Sequence, residues 1–265
     1  MQTYLVLDGS GGDTVAALAA RVCPQCGMAY APGTEDERVH AQYHRRATAP
    51  VRCAHLLRTC EVVSRDAASG TAVVRVPAAP TIPVARCVRT VLRTVDRALG
   101  SPNCNGDDDE HEEEQDGEQE DRDVPRESSD GAGDGSKRNL ILLCVHEQTG
   151  AVHGAVVAQQ IRSARKADTA DGTVRCSGPA RRATAGVAKI FVHATQRRRG
   201  VATRLLDAVR TALVYGYVVP RAELAATQPT RDGAALFARY AGTPHFLVYD
   251  PATADTEPRA SAEPH

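Results

Sequence analysis

The sequence predicts an α+β chain: a small ββα-like finger, then a mostly antiparallel mixed sheet with flanking helices. Three observations carry this. Cys23 and Cys26 sit two residues apart, and His40 and His44 follow at helical spacing. Apolar runs come in pairs around glycine-containing turns, as hairpins do. The stretch Lys189-Ile190-Phe191-Val192 then leads through a basic turn, Gln196-Arg197-Arg198-Arg199, into an amphipathic segment that starts at Gly200. The boundaries that follow are 1–19, an N-terminal segment; 20–48, the finger; 49–100, a hairpin and helix joining the main domain; 101–138, an acidic linker; 139–250, the main domain; and 251–265, a tail.

In the finger, Cys23-Pro24-Gln25-Cys26-Gly27 presents two thiolates from one tight knuckle, and Gly27 permits its turn. His40 and His44 share one helical face, so both rings can point at one ion. Thirteen residues between the pairs fit a strand-turn-helix unit closing a tetrahedral zinc site. Thr34-x-x-Glu37 supplies a capping box ahead of the histidine helix. All four ligand positions are filled by side chains, so the zinc is structural, and a single finger of this kind is not expected to read DNA directly.

Residues 61–64 and 71–76 flank Ala68-Ser69-Gly70 as a β-hairpin. Val84, Val88, Val91, Leu92, Val95 and Leu99 then recur at helical spacing, with Arg86, Arg89, Arg93 and Arg97 facing outward and Gly100 as the stop. Residues 101–138 are too polar to offset chain entropy and are expected to be disordered. The bland reading is a solvated insertion; the sharper one is an acidic mimic folded over the basic turn. Residues 139–145 and 152–158 around Gln148-Thr149-Gly150 form a second hairpin, near the sheet centre. Arg162 to Arg182 reads as a charged, glycine-containing loop. After the helix from about Gly200 to Tyr215 come a short stretch at 223–226, a helix through Leu236 and Phe237, and a strand at 246–249.

Composition narrows the partners. The chain has 265 residues, 42% hydrophobic, no Trp and only 4% aromatic residues, so its core is built mostly from Val, Leu and Ala. No apolar run approaches the ~20 residues that span a bilayer, and the first residues lack a signal-peptide pattern, so a soluble, intracellular protein is expected. The net charge of −1 hides a segregation: residues 107–134 hold fifteen of the 33 acidic residues and only Arg122 and Arg126 as basic ones. The remainder is strongly basic, which suits coenzyme A, nucleic acid, chromatin or an acidic protein surface. Apart from the finger pair, Cys53, Cys60, Cys87, Cys104, Cys144 and Cys176 are scattered singly and read as small hydrophobes or idle thiols.

Arg197-Arg198-Arg199-Gly200-Val201-Ala202 fits the R/Q-x-x-G-x-G/A pattern by which GNAT-type acetyltransferases hold acetyl-coenzyme A. The first N–H groups of a helix lack intrahelical partners and, with the helix dipole, suit a pyrophosphate. Further matches fall in one order along the chain: Cys23-Pro24-Gln25-Cys26-Gly27-Met28-x-Tyr30, His40-x-x-Tyr43-His44, Val73-Val74-Arg75-Val76-Pro77, Tyr215-Gly216, Pro229-Thr230-x-Asp232-Gly233, and Phe237-Ala238-x-Tyr240-x-Gly242-Thr243-Pro244-x-Phe246-Leu247-Val248-Tyr249. Over roughly 20–100 and 139–250 the chain resembles the establishment-of-cohesion acetyltransferases, which join such a finger to a GNAT domain. The resemblance implies a GNAT fold and a nuclear enzyme that transfers acetyl from acetyl-CoA to lysines of the SMC-type subunit of cohesin, with replication machinery and chromatin as further partners and no membrane.

Carried over residue by residue, the resemblance implies that Ile190, Phe191 and Val192 offer backbone groups to the pantetheine arm. Arg198, Arg199, Gly200, Val201, Ala202 and Thr203 would hold the pyrophosphate, and Thr230, Arg231 and Asp232 would approach from the other side. Asp207 stands where the family carries a carboxylate, usually Glu. Gln228 replaces an Asp before the Pro-Thr turn, and Ala188 replaces a Ser. Only the neutral amine attacks a thioester, and less than about 0.1% of a free lysine is neutral at pH 7, so a base or desolvation is required. Asp207 is the first candidate base, with His193 and Asp232 behind it. Gln228 would orient the lysine, Tyr240 would protonate the departing thiolate, and an N–H near Val192 would face the oxyanion. For Asp207 the alternative is an exposed carboxylate paired with Arg204 or Arg210. Two other functions stay open: a finger-and-GNAT binding module without activity, and an acetyltransferase for another protein or a small amine.

Overall fold

The computed structural model describes residues 20–23, 25–100, 139–168 and 174–252. The expectations for 1–19, for the linker at 101–138 and for all but the first residues of the tail lie outside the described residues. The chain divides into two compact units, residues 1–50 and 51–265.

The first unit pairs β1 (Arg21–Val22) antiparallel with β2 (Ala29–Tyr30) and continues into α1 (Glu35–Ala47). Thr34 starts α1 by accepting the Asp36 N–H on its hydroxyl at 3.2 Å, while the Glu37 carboxylate reaches back to the Gly33 N–H at 2.8 Å. This is the reciprocal cap expected from Thr34-x-x-Glu37, displaced by one donor at each end.

The second unit begins with α2 (Leu56–Thr59), the hairpin β3 (Glu61–Asp66) and β4 (Thr71–Arg75), and α3 (Ile82–Leu99). Pro83 lies in the first turn of α3, and Gly100 closes it in the left-handed region at φ 70°. Then come β5 (Leu140–His146), β6 (Val152–Gln160), β7 (Ser163–Asp168), β8 (Arg175–Arg182), β9 (Ala185–Val192), α4 (Val201–Ala212), β10 (Leu224–Ala226), α5 (Arg231–Ala241) and β11 (Leu247–Val248). One nine-stranded sheet runs in the order β3-β4-β5-β6-β9-β10-β11-β7-β8. It is antiparallel except that β10 pairs parallel with both β9 and β11.

Period-two alternation sorts the two faces. Leu142, Cys144, Val156, Ala158 and Val187 meet Leu205, Leu206 and Val209 of α4 and Phe237 of α5. Leu143, Val145 and Ala155 meet Val84, Val88, Val91 and Val95 of α3. Helix α3 therefore covers one face of the sheet, and α4 and α5 cover the other. The expected α3 is present, with Arg86, Arg89, Arg93 and Arg97 exposed.

Two expectations need correction. The stretch from Arg162 to Arg182 is not a loop, because β7 and β8 form a hairpin that joins the sheet edge through β11, with the Ala167 N–H on the Phe246 carbonyl at 2.7 Å. Its edge strand β8 is almost wholly exposed and needs no apolar alternation, so the sequence pattern was silent. The cysteines are also not all single: Cys53 and Cys87 form a disulfide that ties the segment before α2 to α3, with Cα atoms 6.3 Å apart. A separation of 34 residues leaves no local signature of the pairing.

Candidate functional site

The geometry centres on β9. Its first half is paired on both sides, with β6 and with β10: Leu224 opposite Ala185, Ala225 opposite Gly186, Ala226 opposite Val187. The Thr227 N–H to the Val187 carbonyl at 3.1 Å is the last bond between β9 and the β10 side. Beyond it, residues 188–192 keep only β6 as a partner strand among the described residues. Lys189, Ile190, Phe191 and Val192 are half-buried there. Gln228, forced to φ 35°, and Pro229 carry the chain away from β9 into α5. The two parallel strands thus splay, leaving a row of β9 backbone groups without a strand partner on that side, whose last carbonyl, that of Val192, accepts the Arg197 Nε–H at 3.3 Å.

The row ends at a helix start. After Val192 a short 3-10 turn at Ala194–Gln196 leads to Arg198 at φ 62° and Gly200 at φ 77°, then α4. The first intrahelical bond here is Arg204 N–H to the Gly200 carbonyl at 3.0 Å, so the N–H groups of Val201, Ala202 and Thr203 lie ahead of the ladder. Arg197, Arg198 and Arg199 are exposed beside them. A Cβ at Gly200 would meet nothing within 4 Å, so glycine is required for its backbone angle rather than for space. Thr230, Arg231 and Asp232 open α5 across the splay, with the Thr230 hydroxyl accepting the Gly233 N–H at 3.2 Å.

Residues that sequence reasoning missed hold this turn in place. Gly154 of β6 lies under α4: a Cβ there would come within 2.7 Å of the Phe191 carbonyl oxygen and 3.0 Å of Val201 Cγ1. Only glycine lets the helix start approach the sheet so closely, and a single sequence does not distinguish it from a turn glycine. Of the two arginines offered as alternative partners of Asp207, Arg204 pairs with Asp66 at the end of β3. A hydrogen bond from Ser69, followed by the charge of Arg204, lowers the Asp66 pKa. Lys189 points to the opposite face, where its ammonium pairs with Asp96 of α3.

The structure joins two of the expected catalytic side chains. The Tyr240 hydroxyl on α5 donates to the Asp207 carboxylate on α4 at 2.5 Å. Arg210 and Arg221 stand 3.5 and 3.7 Å from the same oxygen, and Arg221 also lies 4.6 Å over the Tyr240 ring. Asp207 remains 46% exposed at the side chain, whereas Tyr240 is buried. Burial first, and the bond to Asp207 second, raise the Tyr240 pKa and keep the phenol protonated.

His193 and Gln228 sit elsewhere. The buried His193 ring caps the 3-10 turn, its Nδ1 2.9 Å from the Thr195 hydroxyl. Gln228 is exposed and borders a cavity of about 450 Å³ that also touches Cys176, Thr227 and Tyr249.

In the first unit the ligand atoms of Cys23, Cys26, His40 and His44 all lie within 4.8 Å of one another. The knuckle closes through Gly27 N–H to the Cys23 carbonyl and Cys23 N–H to the Met28 carbonyl, both 2.9 Å. Backbone hydrogen bonds from Cys26 and Gln25 lower the Cys23 pKa to about 6, as a metal thiolate requires. His40 stacks on Tyr30, centroids 3.9 Å apart, and its buried Nε2 has no hydrogen-bond partner, which fits a metal-ligand atom. Two sulfurs and two imidazoles at this spacing suit tetrahedral zinc.

A mixed sheet splayed beside a glycine-started helix, flanked by helices on both faces, defines the fold class: the GNAT acetyltransferase fold, in a chain that also carries a finger-like Cys/His cluster. Residues 181–249 match the family model "ESCO1/2 acetyl-transferase", and residues 2–46 match "zinc-finger of acetyl-transferase ESCO". Both matches are to models of one family, the ESCO acetyltransferases, which this chain resembles in its finger and in its C-terminal segment. It is 28% identical to Drosophila melanogaster N-acetyltransferase eco over 88% of this chain and 19% of that protein. It is 27% identical to Homo sapiens N-acetyltransferase ESCO2 over 87% of this chain and 35% of that one. With Saccharomyces cerevisiae N-acetyltransferase ECO1 the identity is 43%, over 60 residues, 23% of this chain and 21% of that one. The chain thus spans about a fifth to a third of the length of the first two relatives. The fold matches the xEco2 acetyltransferase domain bound to a K105-CoA conjugate, with TM-score 0.55 and 24% identity over 72% of this chain and 97% of that one. Among the described residues no helix is long and apolar enough to cross a membrane.

Proposed function

We propose that this chain is an acetyl-CoA-dependent lysine N-acetyltransferase, acting in the nucleus on the SMC-type subunit of cohesin to establish sister chromatid cohesion. Residues 20–48 serve as the finger, 49–100 and 139–250 as the catalytic body, and 101–138 as an insertion. The observation that carries the reading is the edge of β9 freed beyond Val187, running directly into the glycine-started helix α4. That edge offers the pantetheine arm hydrogen bonds at Ile190, Phe191 and Val192. The turn from Arg198 to Thr203 offers the pyrophosphate charge and N–H groups, and Thr230, Arg231 and Asp232 close the other side.

The chemistry then follows from the Asp207–Tyr240 contact. The substrate amine attacks the thioester carbonyl carbon, and an N–H near Val192 steadies the oxyanion until the carbon–sulfur bond breaks. Asp207 takes the amine proton. Tyr240 gives its own proton to the coenzyme thiolate and recovers one from Asp207 along their 2.5 Å hydrogen bond, so no charge remains on the buried ring. The cavity bordered by Gln228 supports an approach of the lysine-bearing segment from the far side of the splay.

The test is acetylation of a purified cohesin SMC head domain, comparing the unaltered chain with Gly200→Asp and Asp207→Asn. Transfer by the unaltered chain and its loss in both variants is expected. A second reading, a binding module without activity, draws on Gln228 standing where the family resemblance implies an Asp. Saturable acetyl-CoA binding without transfer to any lysine would favour it.

A further inference from the structure

A cleft of about 1320 Å³ opens on the α3 side of the sheet. It lies at the end away from the coenzyme turn: Gln160, the last residue of β6, and Ile161 line it, whereas the turn follows Val192, paired with Gly154 near the start of β6. Its floor is apolar, with Val88 and Leu92 from α3 and Ile141 from β5. Its rim is cationic, with Arg75 at the end of β4, Arg89 and Arg93 on α3, and Arg162 after β6. One lining residue is acidic, Asp96, and its carboxylate is taken by Lys189. Arg75, Arg89 and Arg93 are exposed and have no ion-pair partner among the described residues.

Clustered guanidinium groups over an apolar floor select a carboxylate-rich polypeptide, because Arg pairs with carboxylates in a planar, two-point fashion and its stem packs on apolar surface. Such a polypeptide is attached to the cleft itself. The tract at 107–134 carries fifteen acidic residues and lies in the sequence between Gly100, where α3 ends, and Asn139, which lines the cleft. At ~3.5 Å per extended residue, Asp134 lies within about 17 Å of Asn139 and Asp130 within about 31 Å. Exposed ion pairs are individually weak, but a tether this short supplies an effective concentration on the order of millimolar.

We propose that this cleft is a docking site for an acidic polypeptide segment and that the segment it holds is the chain's own residues 107–134. The proposal does not depend on the acetyltransferase reading. It places the tract at the base of α3 rather than over the coenzyme turn.

The test uses the full chain and a fluorescein-labelled peptide of residues 107–134, read by anisotropy at low and high salt. One chain is unaltered; in another, the fifteen acidic residues of the tract are changed to Asn and Gln. The neutralised chain should bind the peptide at least about tenfold more tightly than the unaltered one, whose cleft is already occupied in cis. Added salt should weaken this binding, and Arg89→Glu with Arg93→Glu in the neutralised chain should abolish it without moving the thermal melt. If the reversed charges disturb folding, Arg89→Gln with Arg93→Gln gives the same reading. Equal binding by both chains, no binding by either, or binding indifferent to the arginine pair would overturn the proposal. So would a concentration-dependent dimer in sedimentation that dissolves with Arg89→Glu and Arg93→Glu, which would assign the cleft to a second copy.

Discussion

The finger and the proposed coenzyme site would solve the same problem, holding a charged ligand, with opposite materials. The finger uses four side chains whose atoms lie within 4.8 Å of one another, on a unit too small to bury a core. The proposed coenzyme site would use mainly backbone: the edge of β9 that lacks a strand partner and the first N–H groups of α4, positioned by a nine-stranded sheet with helices on both faces. A side-chain site fails when a ligand residue is removed. A backbone site tolerates most side-chain changes and fails when the backbone is moved.

The finger should therefore show the steepest dependence on single residues. His40→Ala or Cys26→Ser should reduce bound zinc from one ion per chain to none, by elemental analysis, because metal binding in such units supplies on the order of 10 kcal/mol of folding free energy. Acetyl-CoA affinity of the second unit should stay unchanged. The pH dependence has a definite sign. The folded Cys23 pKa lies below its ordinary value, so its thiolate contribution is complete above the unfolded pKa near 9 and is lost as pH falls through about 6. Zinc should be retained down to about pH 6 and released below it; release already at pH 8 would contradict the bound knuckle geometry.

In the second unit, Asp207→Asn should lower kcat by about 10²- to 10⁴-fold while leaving acetyl-CoA binding nearly intact, the mark of a lost base rather than a lost fold. A rise in KM for acetyl-CoA with kcat unchanged would assign Asp207 to positioning instead. Gly154→Ala probes the backbone argument: its Cβ meets the Phe191 carbonyl oxygen of β9 at 2.7 Å and Val201 Cγ1 of α4 at 3.0 Å, so β6 must shift against both, at about 1–3 kcal/mol. Its expected signature is a lower melting temperature together with weaker acetyl-CoA binding. The smallest effect belongs to Asp66→Asn, which removes the partner of Arg204 at a partly exposed pair. Weakening of acetyl-CoA binding by no more than about fivefold is expected, screened by salt.

The same contrast explains what could be read in the residues. Cys23, Cys26, His40 and His44 announce their chemistry by type and spacing, and the structure gathers all four. The Gly200 turn was legible because a basic, glycine-started helix after an apolar strand has a pattern. Asp207 and Tyr240 were each visible as candidates, but their contact across 33 residues was not. The splay at Val187 has no residue signature, since it consists of a strand pairing that stops. Gly154 looks like any strand glycine until Val201 is seen above it. The β7–β8 hairpin and the Cys53–Cys87 bond were missed because one is polar on an exposed edge and the other joins distant segments.

The central claim is that the β9 edge and the Gly200 turn hold acetyl-CoA, and calorimetric titration of the full chain with acetyl-CoA tests it most directly. The unaltered chain should bind one equivalent. Gly200→Asp, which strains a backbone at φ 77° and sets a carboxylate against the pyrophosphate, should weaken binding by about a hundredfold or more while the finger keeps its zinc. Unchanged affinity in a folded Gly200→Asp chain would place the coenzyme elsewhere and contradict the account.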